Sequence, residues 1–412
     1  MTITTEARNA TLPELAEILK AQQAQKHDFI VPATKITARN GLLHIEGTGT
    51  QLPAGEMRLE DLMGDASTGV FRPSAIMDGQ IAERLEIPVR YHRRLRETRL
   101  DLYDQNVNGW LHGLTDHYGD DYPDYPADQR NFLVRTFIDP DSAEPGYGRA
   151  LCSDSFQAFD HLDALTAGML GVREAGHEVE ATSVQLSETR MSISFACPDL
   201  AVLAPELLKG YRPTVNGWDF DRARQVARRE GMGYPEGEEP VLFAGFTLSN
   251  GETGGSAMTL TPEFTVRICK NGLTLSQNLL RKVHIGGRLA EGQIRWSTET
   301  QRKNLDLIKS QVTDAVRTCL DLDFVRGEVA KLEALAGKPI ADADKTVKAV
   351  SKELAFSEET TATVLDHFIR GGQMTAGGMM QAITAAAQVV PSPDVAWDMK
   401  NNAVRAMELA AA

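Results

Sequence analysis

Nine cations, Arg267, Lys270, Arg281, Lys282, Arg288, Arg295, Arg302, Lys303 and Lys309, stand between residues 265 and 309 against Glu291, Glu299 and Asp306, a net of +6. His284 and Trp296 are set among them. Cations interleaved with an aromatic ring suit a single-stranded nucleic acid: the cations replace counterions on phosphates, and the ring gives a base a face to stack on. Arg267, Lys270, Arg281, Lys282, His284, Arg288, Arg295 and Trp296 are therefore the candidate nucleic-acid-binding residues. The bland reading is a solvated basic helix face paired with acidic neighbours, which most charge runs are. A second cluster lies in QIAERLEIPVRYHRRLRETR, where residues 84–99 hold six Arg against Glu86 and Glu97, a net of +4. Helix, short turn and Arg-rich helix is the layout of a helix-turn-helix DNA reader. Pro88 and the lack of glycine in the turn weigh against it, as does the habit of Arg stems of lying along a core.

No catalytic constellation accompanies these cations. Gly-x-Ser-x-Gly and His-Glu-x-x-His are absent, and His112 and His117, five apart, point to different faces of a helix. His117, Asp120, Asp121 and Asp124 read as a solvated acidic loop rather than a cation site. Cys152, Cys197, Cys269 and Cys319 are widely spaced with no C-x-x-C, which fits buried free thiols. Asn250-Gly251-Glu252-Thr253-Gly254-Gly255 lacks the lysine of a phosphate loop, so turn geometry is its expected role; Asn250-Gly251 and Asn271-Gly272 are expected at backbone turn positions, where valine in place of the glycine destabilises wherever φ is positive. No metal and no cofactor is expected, and catalysis is left open.

The elements that must position these residues follow from patterning. At 412 residues and 42% hydrophobic, the chain can fill more than one core. Its net charge of -14 disfavours indiscriminate attraction to polyanions, so any nucleic-acid contact has to be local. The start MTITTEARNA has no basic, then apolar, leader, and the longest apolar-leaning stretch, Met379 to Val390, falls short of the roughly 20 residues that cross a bilayer. A cytoplasmic protein with no membrane contact is expected. Helical spacing is predicted over 11–27, with Thr11 as N-cap, and in two helices between Ser74 and Arg99; Asn40-Gly41 predicts a hairpin. Seven Asp and no Lys or Arg in 101–128 predict an acidic loop towards the end of that stretch. Alternating, β-branched runs at 131–138, 179–197 and 241–269 predict strands, with a helix between the first two. From about 298, Leu305, Ile308, Val312, Ala315, Cys319 and Leu322 recur at helical spacing. The expected fold is α+β: an N-terminal helical and hairpin region (1–128), a mainly antiparallel β-rich core (129–297) and a C-terminal helical module (298–412).

Four segments resemble the phage/plasmid-like family grouped as a domain of unknown function. They are AIMDGQIAERLEIPVRYHRRLRE, FLVRTF with RALCSDSFQAFDHLDAL, LSNGETGGSAMTLTPEFTVRICKNGL, and MTAGGMMQAITAAAQVVPSPDVAWDMKNNAVRAMEL, within roughly residues 70–410. Ser153-Asp154-Ser155-Phe156 departs from the aromatic Arg-Tyr that relatives tend to carry. The resemblance implies a setting among mobile elements and hence DNA metabolism. The leading expectation is a single-strand annealing or recombination accessory factor that binds single-stranded nucleic acid and is compatible with a homo-oligomer. The alternatives are an enzyme with a polar pocket near residues 250–271, or a protein–protein interaction factor.

Overall fold

The computed structural model describes residues 4–48, 68–113, 125–139, 144–156, 159–209, 225, 228, 240–266, 272–274, 280–282 and 298–412. Among these residues two sheets form, and the fold is α+β. The chain opens with the short strand β1 (Ala7–Arg8) and helix α1 (Leu12–Gln25). The T-x-x-E spacing closes a capping box on α1: Glu14 accepts from the Thr11 N–H at 2.7 Å, and Thr11 Oγ1 accepts from the Glu14 N–H at 3.4 Å.

The first sheet takes β2 (Lys26–Pro32), β3 (Ile36–Arg39), β4 (Leu42–Glu46), β5 (Thr68–Pro73), β6 (Asn131–Phe137) and β7 (Gly146–Ser153) in the order β2-β6-β7-β5-β4-β3. Its pairs are antiparallel except β5 with β7. Asn40 (φ 53°) and Gly41 (φ 70°) turn the β3–β4 hairpin with both residues left-handed, as the Asn-Gly pair predicts. Helices α2 (Ala75–Arg84), α3 (Val89–Thr98) and α4 (Leu100–His112) cover this sheet around Ile45, Phe71, Ile81, Leu95 and Val107.

Beyond them come α5 (His161–Ala175), β8 (Glu180–Leu186), β9 (Met191–Leu203), the one-turn α6 (Pro205–Leu208), β10 (Val241–Asn250), β11 (Met258–Val266), β12 (Gly272–Thr274) and β13 (Leu280–Lys282). The second sheet is antiparallel in the order β1-β8-β9-β10-β11-β12, with β13 also on β11. Every residue of β10 is buried, which fits its near-continuous apolar run at the middle of the sheet. Helices α7 (Thr298–Cys319), α8 (Leu322–Ala336), α9 (Ala343–Glu353), α10 (Glu358–Gly371), α11 (Ala376–Val389) and α12 (Pro393–Ala411) complete the chain. They share one core with α1, α5 and strands β8 to β11.

β6 and β7, which follow residue 128, pair with β2 and β5, which precede it: alternation marks a strand but does not name its partner. The left-handed glycine of the 250–255 loop is Gly254 (φ 87°), not Gly251. Gly251 is required for closeness instead, since a Cβ there would lie 2.0 Å from Ser256 Oγ.

Candidate functional site

Two groupings of functional side chains stand out among the described residues. The first is the α2–α3 unit. Ser74 Oγ accepts from the Met77 N–H at 3.1 Å and so caps α2; Gln80, one turn on, accepts from the Leu151 N–H at 2.9 Å and donates to the Thr253 carbonyl. The helix is thus pinned to β7 and to the 250–255 loop. It ends in a closed turn, with the Ile87 N–H on the Ala82 carbonyl (2.8 Å) and the Glu86 N–H on the Glu83 carbonyl (3.3 Å). Glu86 is left-handed there at φ 57°. This is the Schellman pattern that a glycine usually completes.

α3 starts after Pro88 and buries His92 and Leu95. Its inner edge converges on Asp78, whose Oδ1 takes Arg96 Nη1 at 3.0 Å and the Tyr103 hydroxyl at 2.8 Å, with His92 Nε2 at 3.2 Å. Burial would raise the Asp78 carboxyl's pKa; His92, Tyr103 and Arg96 outweigh it and hold the carboxyl below its usual value. The outer face is different. Arg90, Arg93 and Arg94 are exposed, Arg93 with its guanidinium lying over Gly79 of α2, and among the described residues none of their side chains has an ion-pair or hydrogen-bond partner.

The second grouping is a buried ionic cluster where the two sheets meet. Arg135 on β6 is wholly buried and donates to Asp28 (3.0 Å), to Asp160 (2.7 Å) and to the Glu252 carbonyl (2.7 Å). The Glu252 carboxylate takes Arg149 of β7 on one oxygen and the His161 N–H on the other, and Lys26 pairs with Asp160. Burial pushes the His161 imidazole down to about 4, against the pull of Glu252. For Glu252, burial would raise the carboxyl, but His161, Arg149 and Arg135 around it keep it well below the usual carboxylate range. The cleft above this cluster, lined by Gln22, Ser74, Tyr147, Arg149 and Glu188, holds about 20 Å³. That enclosed space is about enough for one water. With its charges paired, the cluster reads as a structural tie between the sheets.

No protein family, curated protein or solved structure matches the chain. The side chains themselves must therefore carry the functional argument. Of the residues expected to bind nucleic acid, Arg267, Lys270, His284, Arg288, Arg295 and Trp296 lie outside the described residues. Arg281 and Lys282 belong to β13, opposite Thr259 and Met258, and their side chains lie outside the description. Further along the same basic stretch, Arg302 and Lys303 pair with Glu299 at 3.0 and 3.6 Å on α7, which is the bland, solvated form of a charge run. His117, Asp120, Asp121, Asp124 and Cys269 also lie outside the described residues, whereas Cys152, Cys197 and Cys319 are buried free thiols. His112, at the end of α4, sets Nε2 2.8 Å from the Ile36 carbonyl. Among the described residues no helix is long and apolar enough to cross a membrane. The ionic cluster escaped the sequence reading because Arg135 and Arg149 sit in strand-like runs; the signal available was a charge inside a hydrophobic strand, which has to find a partner.

Proposed function

We propose that this chain belongs to the phage/plasmid-like family it resembles and binds nucleic acid, as a single-strand annealing or recombination accessory factor of mobile-element DNA metabolism. The observation that carries nucleic-acid binding, as distinct from its single-strand character, is the outer face of α3, where the side chains of Arg90, Arg93 and Arg94 are exposed and unpaired among the described residues of a chain whose net charge is -14. Unpaired like charges on one helix face repel, and an approaching polyanion relieves that repulsion while releasing its own counterions. The +6 stretch at 265–309, with Trp296, supports a second, single-strand contact. The enzyme alternative is supported by the convergence of distant charged residues on Glu252, and it requires the 20 Å³ cleft to widen.

The test is a fluorescence-anisotropy titration with an unstructured oligonucleotide at several salt concentrations. Binding should weaken steeply with salt. The double change Arg281→Ala with Lys282→Ala should lower the slope of log affinity against log salt by about 0.7 per lost phosphate contact. Trp296→Ala should weaken binding by roughly 1–3 kcal/mol with little change in slope. Absence of binding at low salt, in protein shown by a melt to be folded, removes the reading.

A further inference from the structure

We infer that α2, the turn Leu85–Pro88 and α3 form a reader of duplex DNA, with α3 entering the major groove and presenting Arg90, Arg93 and Arg94 to phosphates and base edges. The inference rests on the nucleic-acid reading above and names its substrate as double-stranded.

The sequence objection to such a unit is the missing glycine in its turn. The structure removes that objection, because Glu86 adopts the left-handed conformation (φ 57°) that glycine would supply. The turn is closed by both bonds, Ile87 N–H to Ala82 and Glu86 N–H to Glu83. Pro88 then starts α3 without interrupting a helix, and its carbonyl accepts from the His92 N–H at 3.0 Å. The scaffold is also rigid where a reader must be. α2 is held through Ser74 and Gln80, and the inner edge of α3 is held through Arg96, which donates to Asp78 and to the Pro73 carbonyl. At about 1.5 Å per residue the ten-residue α3 is about 15 Å long, which suits a groove about 12 Å wide.

Backbone geometry alone does not make a DNA reader, and the chain contains its own control. The turn between α9 and α10 has the same bonds, Phe356 N–H to Ser351 (2.9 Å) and Ala355 N–H to Lys352 (3.2 Å), with Ala355 left-handed at φ 55°. Yet α10 opens with the exposed carboxylates Glu358 and Glu359, which repel phosphate. The two units share a turn and differ in the charge on the second helix. Of these two second helices, α3 carries three exposed cations at i, i+3 and i+4 on one face, Arg90, Arg93 and Arg94, against the single exposed carboxylate Glu97 beside them. A rigid cationic helix face fits a groove of fixed width better than it fits a flexible strand, which is bound through grooves and stacking platforms.

The test uses the full chain and two fluorescent probes, a mixed-sequence duplex of about 20 base pairs and an unstructured single strand of equal length. The variant is Arg90→Ala with Arg93→Ala and Arg94→Ala; all three positions are exposed, and a melt checks that the fold is kept. The expected result is a duplex affinity at least tenfold lower at low salt, a salt slope smaller by about 0.9 per lost contact, and unchanged single-strand affinity. A duplex affinity unchanged in the variant overturns the inference, as does an equal loss for both probes. Wild-type protein that binds the single strand but not the duplex overturns the inference and leaves the nucleic-acid reading standing. Binding to neither probe removes both. Vesicles of anionic lipid form the last arm: adsorption that depends on the three arginines, without duplex binding, assigns this face to a membrane surface and overturns the inference.

Discussion

At the scale of single residues, the Glu252 cluster makes acid the natural denaturant of this protein. Burial lowers His161 to about 4 from an ordinary value of 6.5, so the folded chain keeps the imidazole neutral while the unfolded chain charges it. The unfolded state then binds more protons as pH falls from about 6.5 towards 4, and folding free energy is lost over that window. Glu252 acts with the same sign at lower pH, because its carboxyl is held below its ordinary value of 4.5 and has to take up a proton on unfolding there. Melting temperature should therefore drop steadily between pH 7 and pH 4. His161→Asn should flatten the upper part of that curve, which melts followed by circular dichroism across the range would show. A curve of the same shape in both proteins would mean that the imidazole does not contribute.

At the scale of elements, the two matched turns carry a cost that can be removed. Glu86 and Ala355 sit at φ 57° and 55°, where a side chain crowds its own carbonyl by roughly 1–2 kcal/mol. Glu86→Gly and Ala355→Gly should each raise stability by about 1 kcal/mol, after allowance for the extra freedom glycine has when unfolded, and chemical denaturation would measure it. Gly251→Val should do the reverse by on the order of 1–3 kcal/mol, through contact with Ser256 and not through backbone strain. Much at this scale is legible in the sequence. Thr11 to Glu14 announces α1, Asn40-Gly41 announces the β3–β4 hairpin, and alternation finds β6, β8, β9, β10 and β11. What alternation cannot reveal is pairing. Nothing in FLVRTF says that its strand lies between β2 and β7 instead of beside β8, because side-chain period fixes which face is buried and leaves the neighbour open. The α2–α3 turn was harder to read for a related reason, since a left-handed Glu86 leaves no mark in composition.

At the scale of the whole molecule, charge is unevenly distributed: a chain at -14 keeps three arginines on one outer helix face whose side chains have no partner among the described residues, while the buried Arg135 is fully engaged. The candidate site was accordingly only half legible. The cluster at 84–99 is visible as a net of +4, but which of its six arginines face outward depends on Asp78 claiming Arg96 from a different helix. The buried arginine also bears on how the protein comes apart. The six-stranded sheet supplies Arg135 and Arg149, the 250–255 loop of the seven-stranded sheet supplies Glu252, and each sheet has its own apolar core. Parting the sheets would strand charges at two freshly opened faces, so an intermediate with one core melted and the other intact is penalised from both sides. Two cores fastened in this way should melt as one cooperative unit. In scanning calorimetry near neutral pH the expected trace is a single endotherm whose calorimetric and van't Hoff enthalpies agree, and Glu252→Gln should split or broaden it.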